Sequence, residues 1–400
     1  MPGRDFGGLQ ELLDRPAAGI DVDTVDRLVG LATSLVRTDD AIGTDHLLLA
    51  VALYLRSVVD PGGGWGEDAD VDELGNVRTN LLTAADAIAG EQAGAVVVAF
   101  HLAMLVDERR PTQGVRTRLA ERFADVVKAL RTVGADGLLY ASGDQRLLLS
   151  GTTGSLAPAG SDLPGRILVA GDVPLPDGPT VSFIRSGAQL VDLAGRTRRP
   201  VGDDAVFVAN PRGDRRHASM DALLLRRTFY PRSTGLGDTG ENTSGLGTPD
   251  EVRARLGASL LHLGCGVTAD GGLELAGSAV LEPLEITAGP SATAGGLAVL
   301  PSAGGVAALT DALLATQFAG VVRFRGAVPD DVVSIIHLLL HARLADAGEE
   351  PAVAVAAVRR WLADPDRSPS EYLPPWLEAR ASVPDLADPA YREALVHHGV

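Results

Sequence analysis

One cysteine, Cys265, is all that 400 residues hold. An intramolecular disulfide and a cysteine-rich zinc site are therefore both excluded. Lysine is as scarce: Lys128 stands alone against many arginines. That bias reads as the GC-rich coding of a bacterial chain, not as an arginine surface built for binding. Aromatic residues make up 4% of the chain, so the core must come from Ala, Val and Leu. No apolar run approaches the ~20 residues needed to span a bilayer, and candidates such as Leu47–Leu55 fall far short. The opening stretch, MPGRDFGGLQELLDRP, has no apolar core of signal-peptide length. The expected location is the cytoplasm.

What is present is acidic and globular. The net charge is −17, with 46% hydrophobic and 22% charged residues. A polyanion repels phosphate backbones and anionic lipid, which argues against nucleic acid and membrane as partners. A protein or peptide of basic character is the electrostatically easier partner. The length suits two or three domains.

The hydrophobic period divides the chain. Residues 1–134 read as an all-α domain. Asp23–Val36 carries Val25, Leu28, Val29, Leu31, Ala32 and Leu35 at helical spacing. Further helices are expected over His46–Val59, ended by Pro61 and Gly62–Gly64, then a loop with Trp65, then Glu73–Ala89, Ala93–Asp107 and Gln113–Val133. Paired helices at this spacing would suit divergent helical repeats, although no 34-residue period or repeated signature is present. Residues 135–400 alternate short apolar runs with helical stretches, the pattern of an α/β domain. Expected strands include Arg166–Ala170, Val181–Phe183, Ala205–Ala209, Ser259–Leu263, Leu297–Leu300 and Val321–Phe324. Their continuous apolar character suits a sheet buried on both faces. Arg232–Thr248 reads as a mobile surface loop, and the residues after Pro375 as a short tail.

Two of these segments carry a resemblance. Leu261–Val267 (LHLGCGV) and Leu297–Gly305 (LAVLPSAGG) resemble the strand ends that bear the His–Cys dyad of CHAT-domain, caspase-like cysteine peptidases. Relatives there read H-x-A-C-H-G and L-S-A-C. Further pieces in matching order are Ala135–Ser150, Val181–Ala194, Phe207–Tyr230, Gly247–Cys265, Gly271–Thr287, Phe318–Asp331, Glu350–Leu362 and Tyr391–Gly399. The resemblance implies a caspase-like three-layer α/β sandwich, a mostly parallel sheet with helices on both faces, over 135–400. It also places the dyad histidine on Gly266, the nucleophile on Gly304, and Arg325–Gly326 where relatives carry an aromatic residue beside the groove.

Glycine has no side chain to ionise. A cysteine peptidase needs a thiolate and a group that protonates the leaving amine, so the family mechanism is not expected. Cys265 lies one residue before the dyad position and His262 three before Cys265. On a strand those two point to opposite faces, so a buried structural thiol is the expectation and a repurposed nucleophile the less favoured alternative. His337 and His341 share a helix face at i, i+4, but the HLLLH stretch lacks the glutamate of a zinc helix. His397–His398 read as a solvated end, His217 as part of an exposed basic spot after RGDRR, and His46 and His101 as satisfied core residues. Gly235–Gly240 (GLGDTG) spells a dinucleotide fingerprint outside the strand–turn–helix context it requires. No metal or cofactor is implied. Three functions follow: a non-catalytic pseudo-peptidase that binds protein or peptide, an enzyme using Cys265 with an unidentified base, or a structural subunit of a larger complex.

Overall fold

The computed structural model describes residues 6–15, 20–38, 41–59, 67–88, 93–109, 114–171, 173–174, 178–288, 294–316 and 318–400. Pro61, Gly62–Gly64 and Trp65, read above as a helix stop and a loop, lie outside these. The chain divides into two compact units: residues 1–179 with 184–192, and residues 180–183 with 193–400.

The first unit opens with α1 (Phe6–Asp14), α2 (Val22–Val36), α3 (Gly43–Val59), α4 (Glu67–Ile88) and α5 (Ala93–Arg109). Asp21 caps α2, accepting the Thr24 N–H at 3.1 Å. Val25, Val29 and Ala32 of the expected stripe are buried, whereas Leu31 is 58% exposed. Helix α3 packs against both α2 and α4. The single helix expected over Gln113–Val133 is two, α6 (Val115–Glu121) and α7 (Ala124–Thr132). The break falls at Phe123, which turns inward and meets the Tyr140 ring edge-on at 5.9 Å. Four strands follow: β1 (Gly137–Ser142), β2 (Gln145–Ser150), β3 (Leu156–Pro158) and β4 (Arg166–Ala170), in the order β3-β2-β1-β4. Only β1 and β4 run parallel.

The second unit contains β5 (Thr180–Ile184), while α8 (Gly187–Ala194) falls mostly with the first. After β6 (Thr197–Arg198) come β7 (Ala205–Ala209), α9 (Arg216–Thr228), β8 (Thr234–Gly237), β9 (Thr243–Gly245), α10 (Pro249–Arg253) and β10 (Leu260–Gly264). A three-stranded antiparallel sheet is formed by β11 (Gly266–Val267), β12 (Leu273–Glu274) and β13 (Val280–Leu281). Then come α11 (Pro283–Thr287), β14 (Ala294–Val299), α12 (Val306–Thr316), β15 (Phe318–Phe324), α13 (Asp330–His341), α14 (Pro351–Ala363), α15 (Pro375–Ala381), α16 (Pro389–Ala394) and β16 (Leu395–Gly399). The main sheet runs β5-β16-β15-β14-β10-β7-β8-β9, parallel except where β16 meets β15. Phe207, Leu260, Val299, Val322 and Phe324 face a core shared with α9, α13 and α14. The alternate residues Val206, Val208, Leu261, Leu263 and Val321 are equally buried, so both sheet faces are covered. This is an α/β architecture with a mixed, mostly parallel sheet, preceded by helices.

Two expectations are overturned. Arg232–Thr248 is not a free loop: β8 and β9 lie within it and extend the sheet beyond β7. The buried guanidinium of Arg226 ties the segment down. It donates to Thr239 Oγ1 at 2.7 Å, Glu241 O at 2.6 Å, and the Ser233 and Asn242 carbonyls at 3.3 Å. A Cβ at Gly235 would strike that guanidinium, which is why the strand needs glycine there. The chain end is not a solvated tail either. Strand β16 sits between β15 and β5, His397 is fully buried, and its Nδ1 lies 2.8 Å from Ser182 Oγ.

Candidate functional site

In parallel α/β sheets, ligands bind outside the carboxyl ends of strands where the strand order reverses. Here the chain leaves β7 for β8 on one side and later returns to β10 on the other, so the reversal lies between β7 and β10. A cavity of about 640 Å³ opens at that place. Its walls are the turn after β7 (Gly213–Ala218), the end of β10 (His262–Cys265), the turn after β14 (Pro301, Ser302) and the start of α13.

Under the cavity lies a chain of buried imidazoles. His262 stacks on Phe207 with ring centres 5.2 Å apart, and its Nδ1 is 3.1 Å from His341 Nε2. His341 Nδ1 in turn meets Tyr230 Oη at 2.9 Å. His337, one turn before His341 on α13, crosses the His262 ring edge-on at 4.7 Å. Both His337 nitrogens lack a hydrogen-bond partner. The nearest carboxylate, Asp221 Oδ2, is 3.5 Å from its Nδ1, and Asp221 Oδ1 accepts the Ser334 hydroxyl at 2.5 Å. Burial, reinforced by the neighbouring imidazoles, holds His262 and His341 well below the ordinary histidine value. Both are neutral at physiological pH, so in each ring one nitrogen can donate and the other accept.

The i, i+4 pair on α13 therefore meets a third histidine from β10, and all three serve the core and the cavity floor. Among the described residues no group of three or more His, Cys, Asp or Glu side chains is arranged to hold a metal ion.

Cys265 and His262 both line the cavity, with no hydrogen bond between them among the described residues. Regular β10 ends at Gly264, so strand alternation no longer governs Cys265. Proximity does not make a nucleophile: Cys265 is fully buried, and burial pushes its thiol up to about 12. Against a free thiol of about 8.5, that value leaves roughly a thousandfold less thiolate at neutral pH. Iodoacetamide is therefore expected to label native Cys265 at least a thousandfold more slowly than the unfolded chain, as followed by intact mass. Rapid labelling at pH 7 would show an activated thiolate and contradict this environment.

The two glycines singled out in sequence differ in their surroundings. A Cβ at Gly266 would overlap the Glu274 carboxylate, which pairs across β11–β12 from it. Glu274 is fixed by Arg212, whose Nη1 lies 2.8 Å from Oε1 and whose other nitrogens reach the Leu275 and Ala279 carbonyls. The space beside Gly304 is open, with nothing within 4 Å of a Cβ placed there. Neighbouring Ser302 is committed to the backbone, accepting the Val328 N–H at 2.7 Å and donating to Gly326 O at 3.2 Å. Arg325 lays its guanidinium over the Phe183 ring at 4.4 Å.

Sequence reasoning singled out His262, His337, Cys265, Gly266 and Gly304 but passed over Asp221, Tyr230, Ser334 and Glu274. Asp221 carried one available signal, a carboxylate on the apolar side of a helix. No protein-family model matches the chain, and no curated protein is similar to it.

Proposed function

We propose that this chain is a non-catalytic, CHAT-like pseudo-peptidase whose caspase-like domain binds a protein or peptide segment in the cavity at the ends of β7 and β10. The observation that carries the reading is the pairing of an open cavity with a filled dyad position. The strand ends still frame a groove at the switch point, while the Glu274–Arg212 pair occupies the room a side chain at residue 266 would need. The only thiol is buried, and burial holds it protonated, which disfavours an acyl-enzyme through the chain's own cysteine. The acidity of the whole molecule, −17, favours a partner that is basic overall.

The test is to incubate the full chain with a proteome-derived peptide library and analyse captured and free peptides by mass spectrometry. A reproducible captured set with no new termini is expected. Capture should fall when the cavity is filled by Ala218→Trp. New termini that depend on the chain would make it a peptidase and end this reading.

A further inference from the structure

One wall of the cavity is the first turn of α9. Arg216, His217 and Ala218 open that thirteen-residue helix, and the cap position is Arg215, whose side chain makes no capping hydrogen bond. First-turn amides have no carbonyl partner within their own helix. Among the described residues these three find none elsewhere, and the turn holds no acidic side chain to complement the helix dipole. Neither Arg215 nor Arg216 forms an ion pair with a described carboxylate. A second, independent feature belongs to the same cavity. His337 lines it from α13, is 4% exposed, and has both ring nitrogens without a hydrogen-bond partner. A buried polar group left so is costly unless something supplies the bond.

We propose that the cavity anchors its peptide by one oxyanion-bearing side chain, an acidic or a phosphorylated residue, held by the α9 amides, Arg215, Arg216 and His337. The proposal rests on the peptide-binding reading and names what the site recognises. Asp214, Asp221 and Asp330 also line the cavity, with Asp221 Oδ2 3.5 Å from His337 Nδ1, so its charge is mixed. A free anion gains less there than an oxyanion attached to a backbone whose N–H groups can face the carboxylates. Helix N-termini bind phosphate and carboxylate alike, so the structure selects the oxyanion, not its source.

The experiment probes an array of random dodecapeptides with the full chain. Each peptide is made with Asp, Glu, phosphoserine, Asn, Gln or Lys at its centre. Binding to the Asp, Glu or phosphoserine series is expected to exceed the Asn and Gln isosteres at least tenfold. Which of the three leads identifies the source as a carboxylate or a phosphate. The double variant Arg215→Ala/Arg216→Ala, at exposed positions that leave the fold intact, should remove that preference. Binding indifferent to the central residue, yet lost in Ala218→Trp, would overturn the oxyanion site and leave the peptide site standing. An acidic preference that survives the double variant would overturn it too, because the acid would then be read elsewhere. No binding to any series would defeat both proposals.

Discussion

Stability should fall steeply as pH drops below about 6.5, well before the carboxylates protonate. His262 and His341 are buried neutral imidazoles whose folded values lie well below the unfolded one, chiefly through desolvation. The sign follows directly. Above pH 6.5 both states are unprotonated, and these groups cost nothing. Below it the unfolded chain takes up protons that the folded chain refuses, so stability is lost as pH falls toward the depressed folded values. Each such histidine costs on the order of 1 kcal/mol one pH unit below its unfolded value, so the pair lowers stability by a few kcal/mol by about pH 5.5. His398 acts in the same direction, held down by burial and by Arg323, whose Nε donates to it at 2.9 Å. Among the described residues, the carboxylate in contact with these rings is Asp221, and it contacts His337, not His262 or His341. Asp21 and Glu251, whose carboxyls are lowered by hydrogen bonds, matter only below about pH 4. Urea midpoints measured from pH 8 to 5 check the result, and a flat profile down to pH 5.5 would refute it. His341→Gln, which keeps a polar partner for Tyr230, should reduce the slope.

Placing at residues 266 and 304 the His and Cys that the resemblance calls for should not create a peptidase. Neither Gly266 nor Gly304 has a left-handed backbone, so conformation does not forbid Gly266→His or Gly304→Cys. Space does, at one position only. The imidazole at 266 must displace Glu274 from its place beside Arg212, breaking that ion pair. Overpacking of this kind costs about 1–3 kcal/mol, seen as a lower urea midpoint for Gly266→His alone. Gly304→Cys, into open space, should be within about 0.5 kcal/mol of the parent. The double variant should leave fluorogenic peptides intact. Adding Glu274→Gly clears the position, and any activity is expected only there. Cleavage by the double variant would show that the Glu274–Arg212 pair does not block the groove.

The main strands were legible because a strand buried on both faces has no polar alternation: AVFVA and LAVL announce themselves, and β7 and β14 fall on them. Strands β8 and β9 were hidden because they are held by Arg226 from a helix and by backbone pairing, while apart from Leu236 their own residues are Gly, Thr and Ser. Strand β16 was hidden for a related reason. Its two histidines look solvated in isolation, and partners more than 70 residues away in the chain cover them: Arg323 beside the half-buried His398 and Ser182 beside the buried His397. The site shows the same division. Glycines at 266 and 304 could be read singly, but the meeting of His262 with His341 spans 79 positions. No local pattern encodes that meeting. Glu274 became informative only once the register of β11 on β12 placed it against Gly266.

The placement of β16 also orders events in time. At one end of the main sheet, residues 395–399 join β15 to β5, and the Ser182–His397 contact closes a loop of 215 residues. On a ribosome, β5 emerges early and has no neighbour on that side until β16 is made. Pairings of such long range are slow to form, and an unpaired strand is a template for the wrong partner. The nascent chain thus passes through an interval in which β5 and β15 both expose an open edge. Its yield during synthesis should depend more on chaperones and on translation rate than the stability of the finished fold suggests.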